Sequence, residues 1–591
     1  MTFLCGAWSM DGRPVEASLP SAVRRRIRSL VGAGARGEEL CRGPIWLAAA
    51  PGALASVGDG AAALGGFLAA DRPAREELGR FLAGTRSSEG PAALGEGHYS
   101  LVLADAAEGR LSLWSDPSDG TPLYHCRVGE LLLFSSSLKA LLAHEGVSRA
   151  LDQEGAGEFL LCRDFLSAGR TGFRDIVRLR PGHGLAAADG RVSALAGSED
   201  YFQPPEPGDR ATPERFRRAV WDAARLVLGR DRQAAVLLSG GLDSATVACA
   251  AADILGPSRV AAFTYEFDDP GHVSEAPAAA ALCRHLGIRH EVVRIGYEET
   301  LALLPETVWR TEMPASPNIH HCRLLPVLGR MRKEGFSKAL TGFGIIEVLG
   351  YLSHHDRYLK GLAASLTRRG EGAAEVGTPP AEIRFQVLSV LQLNGLIGDA
   401  ADHYPQDLQA LVRRTQEQRR QRWEMEGLAD LPLFEQLRYA VHATFGNARL
   451  FQFKVKLSQE ESCLLTAPAM LPSCAALFRH FSWRPDGSLP MGRALHREAM
   501  SGRLPQAVLE RPKIPFQTIM SKSWYDRINE DISARLGAAG TAPAPGLAAE
   551  WGAASRRFPH RVAQWSLWRR VCADAALRAA APDWDGLGRS A

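Results

Sequence analysis

Six consecutive residues, Ser239-Gly240-Gly241-Leu242-Asp243-Ser244, combine the side-chain types that a polyphosphate site needs. Two adjacent glycines let the backbone approach an anion without Cβ clashes. Ser239 and Ser244 supply hydroxyl donors. Asp243 repels bare phosphate, so a divalent cation between the two is the natural chemistry. The Walker A pattern GxxxxGK[ST] is absent here. A strand-to-helix turn with an Asp or Ser cap would use similar residues. Two serines and an aspartate in one such turn point instead to phosphate.

The flanking pattern supplies the elements to hold this loop. Residues 234–255 (AAVLLSGGLDSATVACAAADIL) read as a short buried strand, a tight glycine turn and an alanine-rich helix. That order brings backbone N–H groups and a positive helix end to the loop. VAAFTYEF (260–267) reads as a second strand, APAAAALCRHLG (276–287) as a second helix and HEVVRI (290–295) as a third strand. Strands alternating with helices imply a parallel α/β sheet. Upstream, HYSLVLADAA (98–107), GRLSLWSD (109–116) and GELLLFSSS (129–137) have strand character, with a turn at Gly120 and Pro122. The Pro-rich segment 203–213 reads as a linker between a unit at 1–202 and one at 214–591. From about 380 onward the pattern is mostly helical, and residues 536–554 read as a loop.

Composition narrows the class. The 591 residues are 46% apolar and 23% charged, as in globular proteins, and suffice for more than one core. With 69 Lys plus Arg against 66 Asp plus Glu, there is no electrostatic footprint for nucleic acid. Ten scattered cysteines form no CxxC pair, which argues against structural zinc and against a disulfide framework. No run reaches membrane-span length and the N-terminus lacks a secretory pattern, so the cytoplasm is the expected compartment.

SGGLDS (239–244) resembles the pyrophosphate loop of the ATP-pyrophosphatase superfamily. Further stretches are similar to the asparagine synthetase family: DPSDGTPLYH (116–125) with FSSSLKALL (134–142), FRDIVRLRPGHGL (173–185), and LHREAMSGRLPQAVLERPKIPF (495–516). The resemblance implies an N-terminal Ntn-amidotransferase-like αββα sandwich and a C-terminal ATP-pyrophosphatase parallel sheet with helical additions. It also implies ATP and Mg2+, and an acyl-adenylate opened by an amine to give an amide, AMP and pyrophosphate. Ser239 to Ser244, Gly342 and Gly344 would hold the nucleotide. Lys513 matches the family lysine near the phosphates and the developing oxyanion, and Glu275 and Glu312 sit near positions of family acidic residues.

The sequence departs from the family in both halves. Cys5-Gly6 matches the glutaminase cysteine, but Met-Thr-Phe-Leu precedes it, and Gly65-Gly66-Phe67 stands where the family has Asn-Gly-Glu. The segment after it, about 84–97, is shortened. These losses imply a scaffold without glutaminase activity and Cys5 as a buried thiol. In Thr341-Gly342-Phe343-Gly344-Ile345-Ile346-Glu347, Phe343 replaces an acidic residue or Tyr, and Ile346 replaces a metal-binding Asp. Neither can do those jobs. Either Glu347 joins Asp243 at the metal and in catalysis, or the protein adenylates poorly.

Without glutamine-derived ammonia, the amine comes with the substrate or from solution. The family's β-lactam synthetases rely on a Tyr–Glu pair, whereas this chain offers Phe343 and, in QLNGL (392–396), Gly395. Lasso-peptide cyclases, which join an Asp or Glu side chain to a peptide's own N-terminal amine, are the expected branch. They imply a precursor peptide, a leader peptidase and a leader-binding protein as partners. Trp524, Tyr525, Trp565 and Trp568 would suit a peptide groove or a core equally. Ammonia-dependent asparagine synthesis and a non-catalytic binding role are the alternatives.

Overall fold

The computed structural model describes residues 3–31, 37–69, 72–84, 94–162, 169–195, 212–314, 317–345, 413, 417, 421, 451–452, 454–458, 463–471, 473–474, 492–512, 520–538, 559–574 and 581–588. The N-terminal part holds two six-stranded antiparallel sheets. One runs β10 (Val177–Arg178), β8 (Tyr124–Val128), β9 (Leu131–Ser135), β1 (Leu4–Ser9), β3 (Ile45–Ala49) and β2 (Glu38–Arg42). The other runs β12 (Arg191–Leu195), β11 (Gly184–Ala188), β7 (Arg110–Trp114), β6 (Gly97–Asp105), β5 (Gly60–Leu68) and β4 (Leu54–Val57). β6 and β7 are buried on both faces, and the two sheets pack face to face over Leu4, Leu47, Leu64 and Leu101. The helices Ser21–Val31 and Leu138–Leu142 lie against the first sheet, and Ala74–Gly84 against the second. This is the αββα sandwich expected.

The C-terminal part is built on a five-stranded parallel sheet in the order β15 (Arg289–Ile295), β14 (Val260–Phe267), β13 (Ala234–Leu237), β16 (Lys338–Thr341) and β17 (Leu464–Thr466). β13 is central because it is buried on both faces; its Ala234, Ala235 and Val236 are small enough for helices to pack above and below. β17 is missing from the sequence reading: its three residues are too few to show a period. The helix Lys522–Ala538 runs into the stretch read as a loop, carried by apolar contacts of Ile528, Ile532 and Leu536.

The two parts share a dry, charged contact. Glu312 caps the helix Tyr297–Thr311 in the left-handed region, at φ 60°. Its carboxylate accepts from the Ser137 hydroxyl (2.5 Å) and the Lys139 backbone N–H (3.0 Å), and pairs with Lys456. Burial opposes its ionisation, but Lys456 and Lys139 outweigh that and hold the carboxyl below its ordinary value. His98 reaches across to the Ala467 carbonyl at 3.2 Å, and Gln452 donates to the Tyr124 hydroxyl at 3.0 Å. Trp565 and Trp568 belong to this core rather than to a groove: Trp568 is fully buried, packs on Phe173 and donates to the Glu312 carbonyl at 3.0 Å. Trp524 and Tyr525 are half-buried against the same core.

Candidate active site

Two loops leave the C-terminal ends of the adjacent parallel strands β13 and β16, the edge where open α/β sheets take ligands. The first is Ser239–Ser244, which opens the helix Leu242–Leu255. Gly240 has φ +68°, and a Cβ there would stand 2.7 Å from the Ala279 nitrogen, so both conformation and space require glycine. Ser239 and Ser244 stitch the turn together: their hydroxyls are 3.1 Å apart, Gly241 N–H donates to Ser239 Oγ (3.3 Å), and Ser239 N–H donates to Ser244 Oγ (3.2 Å). The hydroxyls assigned to phosphate from sequence are thus engaged within the turn, and binding an anion through them requires an exchange of partners. Leu242 is buried and anchors the turn in the core. Arg511 donates to the Ser239 carbonyl at 3.1 Å, tying the Arg511-Pro512 segment to the loop.

The second loop, Gly342-Phe343-Gly344, presses on the first. A Cβ at Gly342 would lie 2.5 Å from Asp243 C and Ser244 N, both backbone atoms that cannot yield cheaply. Gly342→Ala is therefore expected to displace the helix start and weaken nucleotide binding by at least about tenfold, roughly 1.4 kcal/mol or more. Equilibrium titration with a fluorescent ATP analogue measures this, and unchanged affinity would separate the two loops functionally. Phe343 stacks on Phe451 (centroids 5.7 Å, 6° between planes), with Lys454 Nζ 4.2 Å from its ring centre. Phe451 in turn meets His98 of the sandwich edge-on at 5.0 Å.

Asp243 keeps 24% of its side chain exposed at the helix start. A hard divalent cation fits this donor set: one carboxylate from Asp243, with remaining oxygens from a polyphosphate and water. Glu275, at the start of the helix Ala276–Leu286, is buried, which pushes its carboxyl up to about 7 against the pull of Arg511 and Arg323. It flanks the loop, whereas Glu312 serves the contact between the two parts. Lys513, Glu347 and Ile346 lie outside the described residues, as does Gly395. The sequence reading missed His496, Thr246 and Phe451 beside these loops; single polar or aromatic residues on apolar faces gave no pattern to find them by.

In the sandwich, Cys5 is fully buried inside β1, paired with Ala48 on one side and Ser135 on the other. Burial pushes its thiol well above the ordinary cysteine range. Gly66 and Phe67 pair with Tyr99 and His98 in the β5–β6 ladder.

A family description for asparagine synthase matches residues 215–551, more than half of the chain. The chain belongs to the asparagine synthase family. A glutamine amidotransferase domain matches residues 89–201. Members of the asparagine synthase family are ATP-dependent carbon–nitrogen ligases. The chain is 25% identical over 265 residues to "Amidase chyE" of Penicillium rubens, covering 42% of this chain and 38% of that protein. It is 25% identical over 239 residues to asparagine synthetase [glutamine-hydrolyzing] 1 of Bacillus subtilis, covering 40% and 36%. It is 28% identical over 253 residues to the carboxyethyl-arginine beta-lactam-synthase of Streptomyces clavuligerus, covering 42% and 45%. The match thus spans less than half the length of each of these relatives.

Proposed function

We propose that this protein is an AMP-forming amide ligase that closes a macrolactam in a lasso precursor peptide. A side-chain carboxylate oxygen of the peptide's Asp or Glu attacks the α-phosphorus of ATP, and pyrophosphate leaves with the P–O bonding pair. The peptide's N-terminal amine then attacks the acyl carbon, AMP leaves, and the ammonium proton passes to solvent or a nearby base. The loop 239–244 binds the pyrophosphate, with helix N–H groups directed at it. Asp243 would hold Mg2+, with Glu347 as a further carboxylate, and the cation would offset charge on the leaving group. Lys513 would stabilise charge on the α-phosphate and acyl oxygen.

The observation that carries this reading is the state of Cys5. A nucleophile activated by its own α-amine needs a free chain end and access to glutamine, whereas Cys5 sits desolvated with its nitrogen inside a paired strand. This supports an amine that comes with the substrate or from solution over one drawn from glutamine, and in this reading it is the peptide's own. Phe343, locked against Phe451, offers no base, which suits an enzyme whose rate comes from holding amine and adenylate together. A precursor peptide, a leader peptidase and a leader-binding protein are the partners this reading requires, in the cytoplasm. Among the described residues no helix is long and apolar enough to cross a membrane.

Incubation with ATP, Mg2+ and a core peptide bearing a free amine and a ring Asp or Glu is expected to give AMP, pyrophosphate and a product lighter by one water. Pyrophosphate exchange without cyclisation would redirect the reading toward another acceptor; asparagine formed from aspartate and ammonium would favour asparagine synthesis. No exchange with any peptide carboxylate would favour a binding role, which the apolar Phe343–Phe451 stack also fits. Cys5→Ala is expected to leave product yield within about twofold of the parent, since the change only trims a buried side chain. Loss of most of the yield, with folding intact by circular dichroism, would restore a role for the thiol.

A further inference from the structure

His496 lies on the helix Gly492–Met500 and is fully buried, with its ring 4.9 Å from that of Phe216. Its two nitrogens span one turn of the neighbouring helix. Nε2 is 2.7 Å from the Thr246 hydroxyl, and Nδ1 is 3.6 Å from Asp243 Oδ1. Asp243 and Thr246 are three residues apart and so share a helix face. Nδ1 has no hydrogen-bond partner among the described residues and is aimed at the carboxylate that faces the phosphate loop. A neutral imidazole carries one proton, on one ring nitrogen or the other.

That proton belongs on Nδ1. On Nε2 it would leave a lone pair confronting a carboxylate in a dry contact. On Nδ1 it is attracted to Asp243, and Nε2 then accepts from the Thr246 hydroxyl, whose single proton turns to the ring from the Leu242 carbonyl 2.9 Å away. The 3.6 Å separation is too long for a hydrogen bond by about half an ångström, so the contact in this structure is electrostatic and becomes a hydrogen bond on a shift of that size.

We infer that His496 is a positioning residue that holds the Asp243 carboxylate by one oxygen and leaves the other turned toward a nucleotide-bound divalent cation. This rests on the ATP and metal reading above. Groups that orient a ligating carboxylate in this way typically change metal affinity by about 10- to 100-fold when removed.

The test uses the full chain with α,β-methylene-ATP and Mn2+ as probe, following bound manganese by electron paramagnetic resonance. His496→Leu is expected to weaken Mn2+ binding to the protein–nucleotide complex by about 10- to 100-fold. His496→Asn, whose amide donor replaces Nδ1–H, is expected to recover most of that loss. Thr246→Val keeps the shape, removes the anchor at Nε2 and is expected to weaken binding in the same direction, so the test survives poor folding of His496→Leu. Equal affinities in parent and His496→Leu, or no recovery with Asn, overturn the proposal. Directly bonded nitrogen in the manganese spectrum also overturns it, by making His496 a ligand. A parent that binds no manganese–nucleotide refutes the ligase reading itself; tight parental binding with an unaffected Leu variant refutes only the role of His496.

Discussion

Replacing Asp243 with alanine is expected to abolish ATP–pyrophosphate exchange and amide formation while leaving the protein folded. The carboxylate is the acidic group at the start of the helix Leu242–Leu255, where phosphate charge would accumulate. Without it, a cation shared with pyrophosphate loses its protein counter-charge, and such electrostatic assistance amounts to several kcal/mol. A loss of about a thousandfold or more in kcat/KM follows. The cost to folding is modest: a carboxylate in a first helical turn contributes about 0.3–1 kcal/mol, and leaving the buried His496 Nδ1 without a facing acceptor adds about 1–3 kcal/mol. Single-turnover assays with radiolabelled pyrophosphate, alongside circular dichroism, separate the two effects. Activity within tenfold of the parent would mean that the loop does not hold a cation in the reaction.

Glu312→Ala is expected to have the largest effect on stability. The change leaves Lys456 buried beside Tyr124 with its charge uncompensated, and removes the acceptor for Ser137 and for the Lys139 N–H. Breaking one side of such a buried pair costs about 3–5 kcal/mol. Glu312→Gln retains acceptors for Ser137 and Lys139 and should lose less. Adding Lys456→Met to Glu312→Ala should return part of the loss, because the orphaned charge is gone. The folded-state carboxyl is held below its ordinary value of 4.5, so its contribution is fully present above that pH. Acidification through the lowered folded-state value removes it. Urea unfolding of parent and variants at neutral pH reads these differences. A Glu312→Ala variant within about 1 kcal/mol of the parent would show that the two parts do not depend on this contact.

Legibility from sequence followed the range of the interactions involved. The strand–loop–helix around Ser239–Ser244 is local, and its glycines, buried strand and alanine-rich helix read directly. β7 alternates along RLSLW, while β6 and β9 are continuous buried runs; all three emerged as strands. β17 did not, because a three-residue strand is held by pairing with β16 rather than by its own pattern. Trp565 and Trp568 were equally compatible with a groove or a core; only the packing of Phe159 and Phe173 against them decides for the core. His496 approaches Asp243 from 253 residues away in the chain, and a lone histidine on an apolar helix face carries no signal of its target. The chemistry of Gly342 was visible as a motif, but the reason for the glycine, a backbone approach to Asp243, is purely tertiary.

A crystal of the protein soaked with α,β-methylene-ATP and Mg2+ is the most direct examination of nucleotide use. The β- and γ-phosphates are expected against the backbone of Gly240 to Ser244, with a cation joined to the Asp243 carboxylate. Phosphates bound elsewhere, or a loop still closed by its own serines at saturating nucleotide, would contradict the account.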